Sequence, residues 1–145
     1  MTNGEAVFAG VRQALKSGGR FVGEFGGHGN VAAIRAALTA LARKHGIDEK
    51  HADPWFFPTA DEYRLMLEDG GFEVEEAVLI PRPPPLPTGL LGWIDTFRAP
   101  FFEAAHARAQ ELRSELEALL APVLRDRAGR WTADYVRLRF IAHKR

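Results

Sequence analysis

The spacing of apolar positions along the 145-residue chain predicts alternating helices and strands. Near the start, Val7, Phe8, Val11 and Leu15 share one face of a 3.6-residue period, which indicates an amphipathic helix. Short runs that alternate in polarity or are rich in β-favouring side chains predict strands instead. Helices are predicted over 4–16, 31–45, 60–69, 89–98 and 100–121, and strands over 20–25, 72–80 and 132–142.

Local signals place the ends of several elements. Asn30 is predicted to cap the second helix, and Thr59 with Glu62 is predicted to form a capping box before the third. Pro100 suits the first turn of the long fifth helix. The proline-rich run 81–87 cannot continue a helix or a central strand, so we predict an extended connector there.

The order of the elements predicts an α/β fold with a small, mixed, three-stranded sheet. We expect one domain over 1–145, in which about 88–122 form a helical cap. If the first two strands are parallel, the segments 26–30 and 81–88 lie at the same edge of the sheet. The loop 47–58 enters its helix from that edge as well.

Composition and charge narrow the function classes. With 19 basic and 19 acidic residues the net charge is zero, which argues against a protein that binds nucleic acid by neutralising phosphates. The absence of cysteine excludes disulfides and thiolate metal sites. No run of ~18 apolar residues predicts a membrane helix, and the first residues lack the pattern of a signal peptide. We therefore expect a cytoplasmic location and no membrane or nucleic-acid partner.

Ligands of open α/β sheets lie beyond the carboxyl ends of the strands. Polar and aromatic residues predicted at that edge are the candidates for binding a small-molecule substrate: His28, Asn30, Trp55, Phe57, Trp93 and Arg98. An arginine pairs well with a carboxylate, whereas for each single aromatic residue we favour ordinary packing of the cap over contact with a ligand. No Ser/His/Asp set or metal-ligand cluster can be assembled, so we assign no catalytic and no metal-binding residue.

The loop that follows the first predicted strand is rich in glycine. Residues 25–30, FGGHGN, lie between a strand and a helix, as a nucleotide-binding loop does. The spacing does not match GxGxxG, and no lysine follows as in a P-loop. A nucleotide loop and a loop on the substrate side are therefore both open interpretations, of which we favour the second.

Three segments, in order, resemble class I S-adenosylmethionine-dependent methyltransferases. Residues 14–22, ALKSGGRFV, are similar to the turn and fifth strand of that family, with Ser17 where proline is usual. Residues 59–72 resemble the helix that precedes the sixth strand, and 131–138, WTADYVRL, resemble the seventh strand. The closest likeness is to the small-molecule subgroup that includes trans-aconitate methyltransferase.

The resemblance implies the C-terminal half of a Rossmann-like methyltransferase fold. S-adenosylmethionine is the family's cofactor, but the glycine-rich turn after the first strand and the acidic residue after the second have no counterpart in this chain. We therefore assign no cofactor-binding residue and expect the chain to lack the donor-binding half and to be inactive alone. Its expected partner is a complementary N-terminal half or a second copy. The alternatives are a non-catalytic dimeric binding or assembly module and a small-ligand binder.

Overall fold

The computed structural model describes residues 3–145. Its α-helices are α1 (Asn3–Ala14), α2 (Ala32–His45), α3 (Ala60–Asp69), α4 (Gly89–Phe97), α5 (Ala99–Ala104) and α6 (Ala109–Leu124). Short 3₁₀ helices cover Glu49–His51 and His106–Arg108. The strands are β1 (Arg20–Gly26), β2 (Phe72–Pro81) and β3 (Val136–Lys144). No described helix is long and apolar enough to cross a membrane.

The chain separates into two compact units, each assembled from several stretches of sequence. The sheet unit contains the residues up to Asn30, Phe57–Pro81 and Val136–Arg145, and it holds the three strands with α1 and α3. The helical unit contains Val31–Phe56 and Arg82–Tyr135. It therefore includes α2 as well as the segment predicted as a cap, while the single domain over 1–145 stays a prediction.

The three strands form one sheet in the order β1-β3-β2. Both β1 and β2 pair with β3 in antiparallel register, so β1 and β2 run parallel to each other without being hydrogen-bonded neighbours. A bulge interrupts β2 between Val74 and Glu76. The α/β fold class is confirmed, but the prediction of a mixed sheet is wrong, because both hydrogen-bonded pairs are antiparallel. The carboxyl ends of β1 and β2 lie at the same end of the sheet.

Aromatic rings fill the core of the sheet unit. Phe140 on β3 is 2% exposed and lies 4.8 Å from the ring of Phe21 and 5.1 Å from that of Tyr63, measured between ring centroids. A Cβ on Gly23 would lie 2.5 Å from Cε1 of Phe140, so glycine at this position makes room for the ring. Burial raises the pKa of Tyr63 to about 12.

The helical unit is held by apolar stripes at helical spacing. On α6 every fourth residue is buried: Leu112, Leu116, Leu120 and Leu124. On α2 the buried residues are Ile34, Leu38, Leu41 and Ala42. At the end of α2, Lys44 and His45 both bind the carboxylate of Glu115 on α6, at 2.9 and 3.2 Å, which fixes the two helices against each other.

The prediction of one continuous helix over 100–121 is wrong. The chain breaks after α5, where His106 adopts a left-handed conformation with φ 49°, which an α-helix of L-residues excludes. After the break, Arg108 donates a 2.9 Å hydrogen bond to the carbonyl of His45 at the end of α2. This contact satisfies one of the carbonyls that a helix C-terminus leaves without a partner.

The prediction of a strand over 132–142 is wrong at its start, because β3 begins at Val136. The residues before Val136 belong to the helical unit instead. The extended proline-rich connector is confirmed, and it pairs with them through hydrogen bonds from Leu86 N to the Trp131 carbonyl at 2.9 Å and from Ala133 N to the Pro84 carbonyl at 3.0 Å. These contacts join two segments that the sequence separates by the length of α4 to α6.

At the opposite end of β3, His143 contacts two acceptors. Its Nε2 lies 2.9 Å from the Glu75 carboxylate and its Nδ1 lies 3.4 Å from the Gly18 carbonyl. The hydrogen bond with Glu75, followed by that with Gly18, raises the pKa of His143 above its usual value. Only the imidazolium can donate from both ring nitrogens, so the charged form is favoured by folding.

Replacing Glu75 with glutamine is expected to destabilise the protein in acid more than in base. Because the pKa of His143 is raised on folding, its contribution is fully present below the unfolded pKa of about 6.5 and is lost as pH rises through the folded value. Urea unfolding of wild-type and E75Q protein from about pH 5.5 to 8.5 checks the sign. A difference that grows with pH would contradict the assignment.

Candidate functional site

The glycine-rich loop after β1 is bound to the chain's own backbone. Gly27 N donates to the Val136 carbonyl at 3.0 Å, His28 N to the Pro58 carbonyl at 2.8 Å, and Asn30 N back to the Gly27 carbonyl at 2.9 Å. A loop that cradles phosphate or a nucleotide needs such N–H groups to point at the ligand. These three point into the protein instead.

Neighbouring side chains also fill the space beside Gly26 and Gly27 of this loop. A Cβ on Gly27 would lie 2.4 Å from Cδ2 of Leu79 and 2.8 Å from Cβ of Leu138, and one on Gly26 would lie 2.4 Å from Cε1 of Phe57. The glycines therefore permit close packing of the protein against itself. The loop does not fit the adenosyl or amino-acid part of S-adenosylmethionine, and the nucleotide-loop interpretation has no support in this geometry.

Asn30 joins the loop to β3. Its side chain is buried, with 5% of the residue exposed, and Oδ1 accepts a 2.9 Å hydrogen bond from Val136 N. The prediction that Asn30 caps α2 is wrong, because Val31 occupies the N-cap position with φ 45° and makes no side-chain cap. The carboxylate of Asp134 takes that role, since its Oδ2 accepts a 2.7 Å hydrogen bond from Ala33 N.

The sheet unit holds three of the predicted site residues around the loop. Asn30 and Phe57 both lie against Gly26, where a Cβ would be 2.7 Å from the Asn30 amide nitrogen. The side chain of His28 is exposed and that of Phe57 is half-buried. Their roles in binding substrate stay predictions.

The other three predicted site residues meet in the helical unit. Trp93 is 7% exposed, its indole N–H donates a 2.7 Å hydrogen bond to the hydroxyl of Tyr135, and its ring centroid lies 6.2 Å from that of Trp55. The ring centroid of Phe97 lies 4.9 Å from that of Trp93, and Phe97 is 48% exposed. Together these rings form a partly exposed aromatic cluster.

Arg98 lies over this aromatic cluster. Its guanidinium carbon is 4.7 Å from the centroid of Trp55, which is cation–π distance. Nη1 donates a 3.1 Å hydrogen bond to the His51 carbonyl, and Nε donates to the Phe97 carbonyl. Within residues 3–145 no carboxylate lies at ion-pair distance from Arg98. Burial lowers the pKa of Arg98, and the negative charge of Asp53 opposes that shift.

Neither the role of Tyr135 nor the ion pair between Arg35 and Asp53 could be predicted from the sequence. The guanidinium of Arg35 binds both carboxylate oxygens of Asp53, at 2.8 and 2.6 Å. Asp53 follows a 3₁₀ helix and precedes a proline, which marks only a loop. Nothing near Tyr135 in the sequence indicates its contact with Trp93, since 42 residues separate the two.

The described chain offers no cluster of metal ligands: among residues 3–145, no group of three or more His, Cys, Asp or Glu side chains is placed to hold an ion. The observed arrangement can bind and orient a molecule through aromatic surface and one cation. It assembles no nucleophile with a base, so positioning is the chemistry that the site supports.

Comparison with known proteins agrees with this architecture. No family model matches the chain. An uncharacterized methyltransferase of Schizosaccharomyces pombe is 41% identical over 98% of this chain, which spans 56% of that relative's length. The crystal structure of a candidate methyltransferase from Bacillus halodurans has the same fold, with a TM-score of 0.57 at 15% identity over 99% of this chain and 59% of that one. The chain is therefore similar over nearly its whole length to part of a methyltransferase, and it has the fold of the C-terminal half of a class I methyltransferase.

Proposed function

We propose that these 145 residues form the acceptor-side part of an S-adenosylmethionine-dependent methyltransferase that acts on a small molecule, and that they do not bind the methyl donor alone. The observation that carries the proposal is the glycine-rich loop after β1. The N–H groups of Gly27 and His28 donate to the carbonyls of Val136 and Pro58, and Leu79 and Leu138 fill the space beside Gly27. The donor would be held by a separate part, in the same or another chain.

The acceptor would bind at the aromatic cluster of the helical unit. Trp55 and Trp93 supply apolar surface, and Arg98 supplies a cation that forms no direct ion pair with a carboxylate of residues 3–145. Such a pair of features suits a small organic acid, whose charged end takes the guanidinium while its carbon skeleton lies on the rings. Methyl transfer requires mainly that the two reactants are aligned and shielded from water.

In the sheet unit, His28, Asn30 and Phe57 are the residues proposed for substrate binding. His28 offers an exposed imidazole on the loop after β1. The Oδ1 of Asn30 accepts a hydrogen bond from Val136 N, and the second lone pair of that oxygen and the amide nitrogen would be its groups for a ligand. A cytoplasmic location also belongs to the proposal.

Titration calorimetry with S-adenosylmethionine tests the proposal. The 145-residue chain is expected to give no heat of binding at ligand concentrations up to about 1 mM, the weak end of ordinary affinities. The matched sample is a fusion of this chain to the part of the Schizosaccharomyces pombe relative that it does not match. That fusion is expected to bind the donor, whereas tight binding by the 145 residues alone would contradict the proposal.

A non-catalytic dimeric binding or assembly module is the second candidate. The observation that favours it is the position of β1 at the edge of the sheet, where it pairs only with β3 among residues 3–145. Exposed strand edges are templates for pairing with another chain. A fusion that binds S-adenosylmethionine but transfers no methyl group to any small acid would favour this second function.

A further inference from the structure

His45, the last residue of α2, is a histidine with a contact on each of its ring nitrogens. Its side chain is buried, with 7% exposed. Nε2 lies 3.2 Å from the Glu115 carboxylate on α6, and Nδ1 lies 3.2 Å from Nη1 of Arg108 in the 3₁₀ helix between α5 and α6. All three residues belong to the helical unit, and the proposed function uses none of them.

The two partners together define which ring nitrogen carries the hydrogen. A guanidinium has only N–H donors, so Nδ1 accepts from Arg108 through an unprotonated lone pair. An ionised carboxylate only accepts, so Nε2 carries the hydrogen and donates it to Glu115. Hydrogen bonds from Lys44 and from His45 lower the pKa of Glu115 below its usual value, which favours its ionised form. The contacts therefore require a neutral imidazole with its hydrogen on Nε2.

We propose that His45 is a pH-sensitive switch that binds Nη1 of Arg108 at neutral pH and releases it in acid. A proton on Nδ1 removes the lone pair that Nη1 contacts and directs one N–H group at another. It also places a positive charge beside the guanidinium, where like charges repel. The imidazolium keeps its hydrogen bond to Glu115, whereas Arg108 keeps only the 2.9 Å hydrogen bond from Nη2 to the His45 carbonyl.

The segment that Arg108 anchors has an unfavourable backbone conformation. His106 has φ 49°, in the left-handed region that residues with a Cβ atom seldom occupy. Such a conformation persists only where its surroundings hold it, and the contacts of Arg108 with the end of α2 are part of those surroundings. The segment also ends α5, the helix that begins next to Arg98. Protonation of His45 is therefore expected to loosen the junction between α5 and α6.

Other charged groups surround His45 but do not contact Nδ1. Lys44 of the same helix binds the Glu115 carboxylate at 2.9 Å, so a cation and an anion act on the imidazole together from that side. Arg43, one residue earlier, is bound to Glu49. The elements packed against the end of α2 carry these further ionisable side chains: Lys50 and His51 on one 3₁₀ helix, His106 on the other, and Glu111, Arg113 and Glu117 on α6.

Urea unfolding of an arginine variant at two pH values tests the switch. Arg108→Ala is expected to lower the folding equilibrium constant about tenfold at pH 8, as for loss of a hydrogen bond to a buried group. At pH 5 the expected loss is about threefold or less, because histidine side chains gain their proton between these values. Equal losses at pH 5 and pH 8 would overturn the proposal.

The matched control is Arg43→Ala, which removes another arginine of the helical unit. Its partner is Glu49, whose pKa is lowered by the hydrogen bond from Arg43, so this ion pair persists at pH 5. The loss for R43A is expected to be the same at both pH values to within about twofold. A change with pH as large as that of R108A would assign the effect to the charge of the whole protein and overturn the proposal.

His45→Asn separates the imidazole from the other ionisable groups. The asparagine carbonyl oxygen lies near the position of Nδ1 and accepts a hydrogen bond at every pH of the experiment. In the H45N background, Arg108→Ala is expected to cause the same loss at pH 5 as at pH 8. A loss that still changes with pH would assign the effect to a group other than His45 and overturn the proposal.

Nitrogen-15 NMR of the wild-type imidazole tests the switch without any variant. At pH 8 the spectrum is expected to show a hydrogen on Nε2 of His45 and none on Nδ1. As the pH is lowered, the Nε–H resonance of Arg108 is expected to shift in step with protonation of Nδ1. The opposite tautomer at pH 8, or an Arg108 resonance that does not move while Nδ1 is protonated, would overturn the proposal.

Discussion

Phe140→Ala is expected to lower the free energy of unfolding by about 4 kcal/mol, the range for an aromatic removed from a packed core. The ring is almost fully buried on the central strand β3 and contacts Phe21, Phe25 and Tyr63 edge-on or tilted. Alanine would leave a cavity among rigid rings that cannot collapse. Urea unfolding followed by far-ultraviolet circular dichroism measures the loss.

The control for this substitution is Phe56→Ala, which removes a phenyl ring that is 63% exposed. Its expected cost is below about 1 kcal/mol, because little apolar surface returns to water. Gly23 offers a second check, since a methyl group there collides with the Phe140 ring. Gly23→Ala should cost less in the F140A background than in the wild-type protein. A loss below about 1 kcal/mol for F140A would contradict the central role of the ring.

Features of the fold that depend on neighbouring residues could be predicted from the sequence. The capping box is confirmed, with Glu62 N donating to Thr59 Oγ1 at 3.2 Å and Thr59 N to the Glu62 carboxylate at 2.7 Å. The third helix has the predicted bounds, Ala60–Asp69, because its start is fixed by that box and its end by the glycine pair that follows. The pattern of apolar residues likewise predicted the bounds of the strands β1 and β2 to within one residue.

Features of the fold that depend on contacts between distant residues could not be predicted from the sequence. The break at His106 has no local signal, and it is accompanied by contacts between Arg108 and His45, which lie 63 residues apart in the sequence. Apolar alternation across 132–142 predicted one strand, but its first residues pair with the proline-rich connector. In both segments the periodic pattern of apolar residues is present. The structure departs from it because of contacts with residues that are distant in the sequence, which a local pattern does not reveal.

The same distinction applies to the candidate site. The order of the elements predicts Trp55, Trp93 and Arg98 near one edge of the sheet, and the structure brings these three together. The same order predicts Asn30 at that edge, yet its side chain holds β3 to the loop. The position of a residue in a loop indicates where its backbone lies. Whether its side chain faces a ligand or the protein depends on the group with which that side chain forms a hydrogen bond.

Asp134 is another distant partner, and it stabilises the start of α2. Its Oδ2 accepts from Ala33 N, 101 residues earlier in the sequence, and its backbone carbonyl accepts from Val31 N at 2.9 Å. The carboxylate therefore acts as a capping side chain supplied from outside the helix, at the end where the helix dipole favours negative charge. Within residues 3–145 its other oxygen, Oδ1, is buried without a hydrogen-bond partner, which offsets part of the gain.

Asp134→Ala is accordingly expected to lower the free energy of unfolding by about 2 kcal/mol, the upper range for loss of a cap. Asp134→Asn keeps an acceptor for Ala33 N but loses the charge, so about half of that loss is expected. Asp95→Ala is the control, because its ion pair with Arg113 is on an exposed side chain and contributes little. Hydrogen exchange separates a local from a global effect: the Ala33 amide should lose protection in D134A more than amides in the middle of α2. Unchanged protection at Ala33 would contradict the assignment of Asp134 as the cap and return that role to the turn at Val31.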